Sequence, residues 1–539
     1  MVHRRLLTIA CLLAAANFTR SAEAQDGEWV TERLESWYRT TARVAPGQWG
    51  IVIADQQGTF LWSVSADQPL IPASTVKLLT TGYARSVLGS DARRSTRVIG
   101  AGDLDTTNGA WIGSWALQLN GDISFERGDA IGGPSLQDLA GQLASMGIKR
   151  LYGPLTVTSE DGPAEALYPS MWASKHRGRL FAPLVGSLMF HENIVRVTIA
   201  PGKAAGQRPR LVGAAPHGLG SLVTIQARTV AGRRSRLSLR PRADGGWVVG
   251  GTIGTRARVR GLVATMRDPR RTLEAAWAVA LANAGIAWQR QAPFGTSADE
   301  PPVALAEVQS ASFDSIASEI NRRSLNSGAE LMLRWAAGRE DGGAKLTQHV
   351  REVTGHSDDV VLVDGSGLSY HDRVSPAAFI AYLAKYPQTP AGRSFPLLLP
   401  ANGSGTLRRL GTAGFPGSGV VRAKTGTLGQ VATVVGYLGS QEGVLLVSLM
   451  YNGPRPWAAR QQQWRLFRLL GADGVVIPAD SATAVGEEGF GGSSDAPPAD
   501  AGLTQDEISS ETNDTLELLL QGEPLPSHGG MDIPGGEQR

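Results

Sequence analysis

The chain has 539 residues, of which 42% are apolar, so it can fill two or three hydrophobic cores. Its charge is uneven: residues 480–539 hold thirteen acidic residues and one basic residue, whereas residues 25–479 hold 48 basic and 35 acidic ones. A basic body suits an anionic substrate. The arginines are scattered and lack interleaved aromatic residues, which argues against nucleic acid as that anion.

Cysteine and histidine usage limits the chemistry. Cys11, the single cysteine, lies in the apolar N-terminal run, so a processed chain would hold no thiol, disulfide or thiolate metal site. Among the eight histidines, His176, His191 and His356 show no metal-ligand spacing. We therefore expect neither a metal nor a cofactor.

Residues 1–24 are predicted to be a secretory signal peptide. A short basic start precedes the apolar run Leu6–Phe18 and the small-x-small site Ala22-Glu-Ala24. We expect secretion across the inner membrane to the periplasm, either free or at the membrane surface. No later stretch reaches eighteen apolar residues, so no transmembrane segment is expected after processing.

The two ends of the body predict a helix beside a sheet. Residues 49–64 form two apolar runs around a Gln-Gly turn, which predicts a β-hairpin. A helix that starts near Ser74 follows. Far downstream, three β-rich segments are separated by glycine turns: Gly419–Thr425, Val431–Leu438 and Val444–Tyr451.

A large insert is expected between these ends, because 247 positions separate Lys77 from Ser324. Strand patterns within it cover Leu117–Asn120, Leu151–Val157, Ile194–Ile199, Val223–Arg228 and Arg236–Leu239. Helical patterns cover Ser135–Met146 and Thr272–Ala284. This mixture predicts one or two mostly β or α+β domains. Residues 479–539 have the composition of a disordered acidic tail.

Three short motifs have the residue types that acyl transfer requires: Ser74-Thr-Val-Lys77, Ser324-Leu-Asn326 and Lys424-Thr-Gly426. A serine that attacks an amide needs an amine base, a polar relay and a cation for the substrate carboxylate. With only seven lysines, Ser-x-x-Lys arises by chance in roughly two chains in five, but Lys-Thr-Gly in roughly one in twenty. The non-catalytic alternative for Ser74 is a helix N-cap.

With their flanks, these motifs resemble the D-Ala-D-Ala carboxypeptidase/endopeptidase family of low-molecular-mass class C penicillin-binding proteins, peptidase family S13. The similarity runs from about Trp49 to Gly471. It includes Asn193 with Val195 and Val197, Asn321–Glu330, Asp364–Ser369, Leu399-Pro400 and Gly405–Leu407.

The resemblance implies an α/β (α+β) penicillin-binding, transpeptidase-like domain with an antiparallel sheet flanked by helices. That catalytic domain would be discontinuous, formed from residues 25–90 and 300–478. A mostly β or α+β two-part insert would occupy residues 91–299.

By the resemblance, Ser74 is the nucleophile, and Lys77, one helical turn away on the same face, is its base. Lys77 must be neutral when it acts, and we expect partial burial and a second cation such as Lys424 to lower its pKa. Ser324 would pass the proton to the leaving amine. Asn326 would hold the substrate amide and orient Lys77.

The resemblance also assigns residues that hold the substrate. Lys424 and Thr425 would bind the terminal carboxylate of a D-Ala-D-Ala stem peptide, and Gly426 would let the substrate strand approach the backbone. The backbone N–H groups of Ser74 and Thr427 would form an oxyanion hole, typically worth about 2.7 to 4 kcal/mol per donor.

Three positions depart from the family pattern. Leu325 stands where many relatives have Asp between the relay Ser and Asn. Tyr370 stands where relatives often have an Arg that meets the acidic stem peptide, and Thr158 where they often have Asp. The last two weaken the inference of a diaminopimelate stem.

The main hypothesis is a serine DD-peptidase, either carboxypeptidase or endopeptidase, whose partners are peptidoglycan stem peptides and β-lactams. One alternative is a catalytically weak cell-wall or β-lactam binding module. A β-lactamase or esterase is less favoured, because the chain has no Glu-x-x-Leu-Asn box between its second and third motifs. A dimer is compatible with the sequence but is not indicated by it.

Overall fold

The computed structural model describes residues 31–127, 132–293 and 301–477. The predicted signal peptide and the predicted acidic tail both lie outside the described residues. Within those ranges, every helix is too short or too polar to cross a membrane.

The described helices and strands are numbered in chain order. The helices are α1 (31–44), α2 (Val76–Leu88), α3 (Leu136–Ser145), α4 (Pro269–Asn283), α5 (Phe313–Arg323), α6 (Asn326–Ala337), α7 (Gly342–Thr354), α8 (Pro376–Lys385) and α9 (Pro456–Gly471). The strands are β1 (Gln48–Ala54), β2 (Phe60–Val64), β3 (Ser95–Asp105), β4 (Ala110–Gln118), β5 (Arg150–Tyr152), β6 (Val157–Ser159), β7 (Gly162–Pro163), β8 (Ile194–Ala200), β9 (Arg210–Ala215), β10 (Val223–Ile225), β11 (Arg228–Val230), β12 (Ser235–Pro241), β13 (Trp247–Gly254), β14 (Arg260–Thr265), β15 (Ala287–Gln289), β16 (Val303–Gln309), β17 (Val360–Val361), β18 (Arg373–Val374), β19 (Val421–Leu428), β20 (Val431–Ser440) and β21 (Gly443–Asn452).

A five-stranded antiparallel sheet joins the two ends of the body, in the order β19-β20-β21-β1-β2. All ten residues of β20 are buried, because helices cover both faces of the sheet. Alternate residues face opposite sides: Val434 packs in the core that contains Phe467 of α9, and Val435 in the core that contains Phe379 of α8. This architecture confirms the predicted fold class.

Helix α2 is the buried helix that follows Ser74, and ten of its thirteen residues are buried. The hydroxyls of its buried threonines donate hydrogen bonds to backbone carbonyls: Thr80 Oγ1 donates to Gly365 O at 2.7 Å, and Thr81 Oγ1 donates to Lys77 O at 2.8 Å. Near its C-terminus Arg85 pairs with Asp314 of α5 at 2.7 Å. Thr80 and Arg85 thus tie the middle and the C-terminal part of α2 to neighbouring segments.

The middle of the chain forms three further sheets. The largest runs β15-β5-β4-β3-β16; in addition, β6 pairs with β4, and β7 pairs with β6. A second runs β14-β8-β9, and in a third β10, β11 and β12 all pair with β13. One hydrophobic core extends from Val98 to Val308 across them. These packing relations support the proposed division into a catalytic domain and an insert. Because β16 pairs with β3, we propose that the chain returns to the catalytic domain after Gln309.

The expected strands of the insert occur with two corrections. The segment Leu151–Val157 is two strands, β5 and β6, because Gly153 has φ of 98° and Pro154 follows it. The segment Val223–Arg228 is also split, into β10 and β11. There Gln226 and Ala227 both donate to the carbonyl of Val249, which interrupts the ladder.

Several expected elements are confirmed with shifted ends. The hairpin is β1 and β2, and the strand expected from Leu117 is the end of β4. Helix α3 begins with a capping box in which Ser135 and Asp138 bond each other's backbone N–H. Helix α4 begins at Pro269, three residues earlier than expected, because Asp268 is its N-cap.

Candidate active site

Ser74 lies in a one-turn 3-10 segment, Ala73–Thr75, that leads directly into α2. Ala73 has φ of 49°, a left-handed backbone conformation that costs energy in a residue other than glycine. Two hydroxyls hold this turn, because Thr75 Oγ1 and Thr433 Oγ1 each donate to Pro72 O at 2.7 Å. The N-cap of α2 is Thr75, so Ser74 is not the helix N-cap.

The Lys77 ammonium group is completely buried and lies at the centre of the site. Its Nζ donates to Ser74 Oγ at 3.0 Å, to Asn326 Oδ1 at 2.6 Å and to Ser366 O at 2.5 Å. The three acceptors come from three different segments. Lys77 is therefore held within reach of the Ser74 hydroxyl, as a general base must be.

Burial lowers the pKa of Lys77 to about 7, because it disfavours the charged ammonium. Three carboxyl groups oppose this decrease in pKa, those of Asp364, Glu330 and Asp372 in order of effect. We expected a second cation such as Lys424 to help lower the pKa of Lys77, but burial lowers it instead. The positive charge of Lys77 in turn contributes to lowering the pKa of Lys424, after burial.

The sequence did not identify these three carboxyls as part of the site. Asp364 accepts N–H bonds from Ser366 at 3.0 Å, Gly367 at 2.6 Å and Ser369 at 2.7 Å, which shapes the loop that offers Ser366 O to Lys77. Burial raises the pKa of Glu330 to about 7. The hexapeptide Asp364–Ser369 marked this loop in the sequence, although it gave no role.

Ser324 and Asn326 lie at the junction of α5 and α6. Ser324 ends α5 with φ of 59°, and its Oγ accepts a hydrogen bond from Lys424 Nζ at 3.0 Å. Asn326 uses both ends of its amide, since Nδ2 donates to Phe181 O at 2.8 Å while Oδ1 accepts from Lys77. Leu325 packs against the main hydrophobic core between them.

Strand β19 forms one edge of the five-stranded sheet and carries the Lys-Thr-Gly motif. A Cβ at Gly426 would lie 2.7 Å from Pro72 O and 2.9 Å from Ser74 N, so a larger residue would displace the Ser74 turn. Glycine is thus required here by contact within the protein. Lys424 is fully buried, and its Nζ also donates to Thr425 O at 2.8 Å.

Arg460 of α9 is a second residue that the sequence did not single out. The residue is 5% exposed, and its guanidinium donates to Gly426 O at 2.7 Å, to Thr427 Oγ1 at 3.3 Å and to Thr433 O at 2.9 Å. Arginine stays charged at any accessible pH. The permanent positive charge of Arg460 therefore lies beneath β19 and contributes to the lowered pKa of Lys424.

The structure brings the predicted site residues together. Hydrogen bonds link Ser74, Lys77 and Asn326 into one set, and Ser324 and Lys424 into another. Thr425, Gly426 and Thr427 adjoin them on β19. Within the described residues, no group of three or more His, Cys, Asp or Glu side chains is placed to hold a metal ion.

A buried amine bonded to a serine hydroxyl beside a basic edge strand is the arrangement that a serine acyl-transfer enzyme requires. Residues 30–470 match the D-Ala-D-Ala carboxypeptidase 3 (S13) family, so the chain belongs to that family. It is accordingly a serine-type D-Ala-D-Ala carboxypeptidase, a hydrolase of the penicillin-binding class that acts on peptidoglycan. This confirms the resemblance inferred from the motifs.

Relatives span most of the chain. A D-alanyl-D-alanine carboxypeptidase from Actinomadura sp. (strain R39) is 27% identical over 439 residues, which are 76% of this chain and 79% of the relative. A carboxypeptidase from Mycobacterium tuberculosis is 30% identical over 413 residues, 74% and 75% of the two chains. Penicillin binding protein 4 from Haemophilus influenzae shares the fold, with a TM-score of 0.63 at 18% identity over 79% of this chain and 98% of its own.

Proposed function

We propose that this enzyme cleaves the terminal D-Ala-D-Ala bond of peptidoglycan stem peptides through an acyl-enzyme on Ser74, and that β-lactams acylate the same serine. The observation that carries the proposal is the buried Lys77 amine, which bonds Ser74 Oγ and Asn326 Oδ1 and has a pKa of about 7. Family membership does not favour a binding module, β-lactamase or esterase.

Acylation requires the neutral form of Lys77. The Ser74 oxygen attacks the carbonyl carbon of the penultimate D-Ala while Lys77 takes the hydroxyl proton. The amide C–N bond then breaks as Ser324 passes its proton to the departing amine of D-Ala and takes the proton held by Lys77 in its place. Water later attacks the ester carbonyl and gives a proton to Lys77; the ester C–O bond to Ser74 breaks, that proton restores the Ser74 hydroxyl, and the shortened peptide leaves.

Positive charge on the motif strand would select the substrate carboxylate. Lys424 and Thr425 bind it in the proposal, and Arg460 adds a fixed positive charge from below. A carboxylate near Lys424 would oppose the effect of burial and raise the pKa of that amine, which favours its charged form. The N–H groups of Ser74 and Thr427 would receive the developing oxyanion.

The same site would also serve endopeptidase cleavage, because a D-Ala-linked cross-link presents the same acyl group to Ser74. We further propose that residues 1–24 direct secretion and that the enzyme works in the periplasm, on the cell wall. Support for this location comes from the cell-wall role of the family and from the predicted signal peptide.

Release of D-Ala from purified stem peptides, and cleavage of purified cross-linked dimers, test the proposal. We expect Ser74→Ala to abolish both reactions and its melting temperature to stay near that of wild type. Ser145→Ala, at an exposed position of α3, is the matched control and should retain full activity. Product release by Ser74→Ala at the wild-type rate would refute the proposal.

A further inference from the structure

A buried carboxylate from the middle of the chain reaches the end of α5, the helix that leads to Ser324. Glu192 is 3% exposed, and its carboxylate accepts two parallel bonds from the guanidinium of Arg323, at 2.6 Å from Nη1 to Oε1 and at 3.0 Å from Nη2 to Oε2. Arg323 is the last residue of α5 and directly precedes Ser324. Glu192 lies 131 positions away, within residues 91–299, which we propose as the insert. The insert thus contacts the neighbour of a candidate catalytic serine.

A strained turn presents the Glu192 side chain. The three residues of the segment His191–Asn193 all have left-handed φ values, of 47°, 55° and 53°, although none is a glycine. Such a backbone costs energy and persists only where other contacts hold it. The side chain of Asn193 provides two of them, since Nδ2 donates to Leu184 O and to Leu188 O, both at 3.1 Å. Glu192 is therefore directed at α5 by a turn that is fixed on its own side.

The ion pair between Glu192 and Arg323 is buried and charged. Arg127, whose side chain is 3% exposed, brings a second cation to Glu192 Oε1 at 2.7 Å. Burial alone would raise the pKa of Glu192, but the charges of Arg323 and Arg127 outweigh it and lower that pKa to about 2. Glu192 therefore stays ionised across the neutral range. Removal of its charge would leave buried guanidinium groups without their partner, which is costly.

The side chain of Arg323 is held close to the site. It is 17% exposed and also contacts Glu319, one turn earlier in α5, at 3.3 Å. Ser324 follows with φ of 59°, and its hydroxyl lies 3.0 Å from Lys424 Nζ. Because Arg323 and Ser324 share a planar peptide bond, a shift of the first residue moves the second.

Proton delivery to the leaving amine is the step that depends on the place of Ser324. We propose that Glu192 is a positioning residue for this step: its ion pair with Arg323 holds the end of α5, and with it the Ser324 hydroxyl, where the amine departs. The proposal rests on the proposed acyl transfer at Ser74. A proton donor must lie within hydrogen-bond reach of its acceptor, so a displacement of about 1 Å would slow amide cleavage about 100-fold. Ser74 and Lys77 lie together on one segment, and their contact should be retained.

Two substrates with the same acyl part separate this step from the rest of catalysis. One is the amide acetyl-L-Ala-D-Ala-D-Ala, and the other is the thioester acetyl-L-Ala-D-Ala-thioglycolate, which keeps the terminal carboxylate. In the amide the C–N bond breaks and the nitrogen must take a proton. In the thioester the C–S bond breaks and the sulfur leaves as a thiolate, which needs no proton because a thiol has a pKa of about 8.5. The kcat/KM values of both report formation of the acyl-enzyme.

Glu192→Gln removes the charge at nearly the same size. We expect kcat/KM to fall about 100-fold for the amide and less than about threefold for the thioester. Arg323→Lys keeps a positive charge but loses the two parallel bonds, so it should give the same split at about tenfold, and it carries the test if Glu192→Gln does not fold. Asp314→Asn and Arg85→Lys are the matched controls. They make the same changes in the two-bond pair at the start of α5 and should keep the wild-type ratio between the substrates.

The outcomes separate the two proposals. An equal loss on both substrates in the Glu192 and Arg323 variants would show a merely structural role and overturn the positioning proposal, as would wild-type rates on the amide. The acyl transfer would stand in either case, provided that wild type cleaves both substrates and Ser74→Ala cleaves neither. A wild type that cleaves neither substrate would refute the chemistry at Ser74, and the positioning proposal with it.

Discussion

Acylation by a β-lactam should accelerate with pH through neutrality, because Lys77 must lose its proton before it can accept one from Ser74. With a pKa of about 7, the amine is about one-tenth neutral at pH 6 and about nine-tenths neutral at pH 8. The second-order rate constant should therefore rise about tenfold between these values. Stopped-flow mixing with a fluorescent penicillin, over pH 5.5 to 9, measures it directly.

A control separates Lys77 from Lys424, whose pKa is lowered too and whose charged form would bind the carboxylate. Loss of charge on Lys424 would lower the rate as pH rises, which is opposite to the effect of Lys77. A penicillin methyl ester lacks that carboxylate, so its rate should show only the rise. A rate that is constant or falls from pH 6 to pH 8 with the ester would refute Lys77 as the base.

Three further perturbations follow from individual contacts. Glu330→Gln removes a carboxyl that favours the charged form of Lys77, so the rise in acylation rate should move to lower pH; an unchanged midpoint would contradict this. Gly426→Ala should slow penicillin labelling about 100-fold, because the added methyl displaces the Ser74 turn, and wild-type labelling would disprove that contact. Arg85→Ala should lower the free energy of unfolding in urea by about 3 kcal/mol, since it leaves Asp314 unpaired; a loss below about 1 kcal/mol would count against a role for the pair in stability.

Local spacing was enough to predict part of the site. Ser74 and Lys77 are three residues apart at the start of a helix, so their contact follows from helix geometry. The bond between Lys77 and Asn326 spans 249 positions, and no local pattern encodes such a distance. Only the resemblance of the three motifs to a known family brought these segments together before the structure did.

The groups that tune the site could not be predicted in this way. Arg460 lies in an ordinary amphipathic helix and becomes special only because α9 packs under β19. Similarly, Glu192 and Arg323 lie 131 positions apart in the chain, and their ion pair is a property of the tertiary fold. The split of the strand after Tyr152 was predictable in principle, because Gly153-Pro154 is a known interruption.

Mass spectrometry of the protein after reaction with penicillin G tests the central claim most directly. Digestion of the wild-type adduct should place one penicilloyl group on the peptide that contains Ser74, and Ser74→Ala should carry none. An adduct that persists in Ser74→Ala, or that maps to another residue of the wild type, would contradict the assignment of Ser74 as nucleophile.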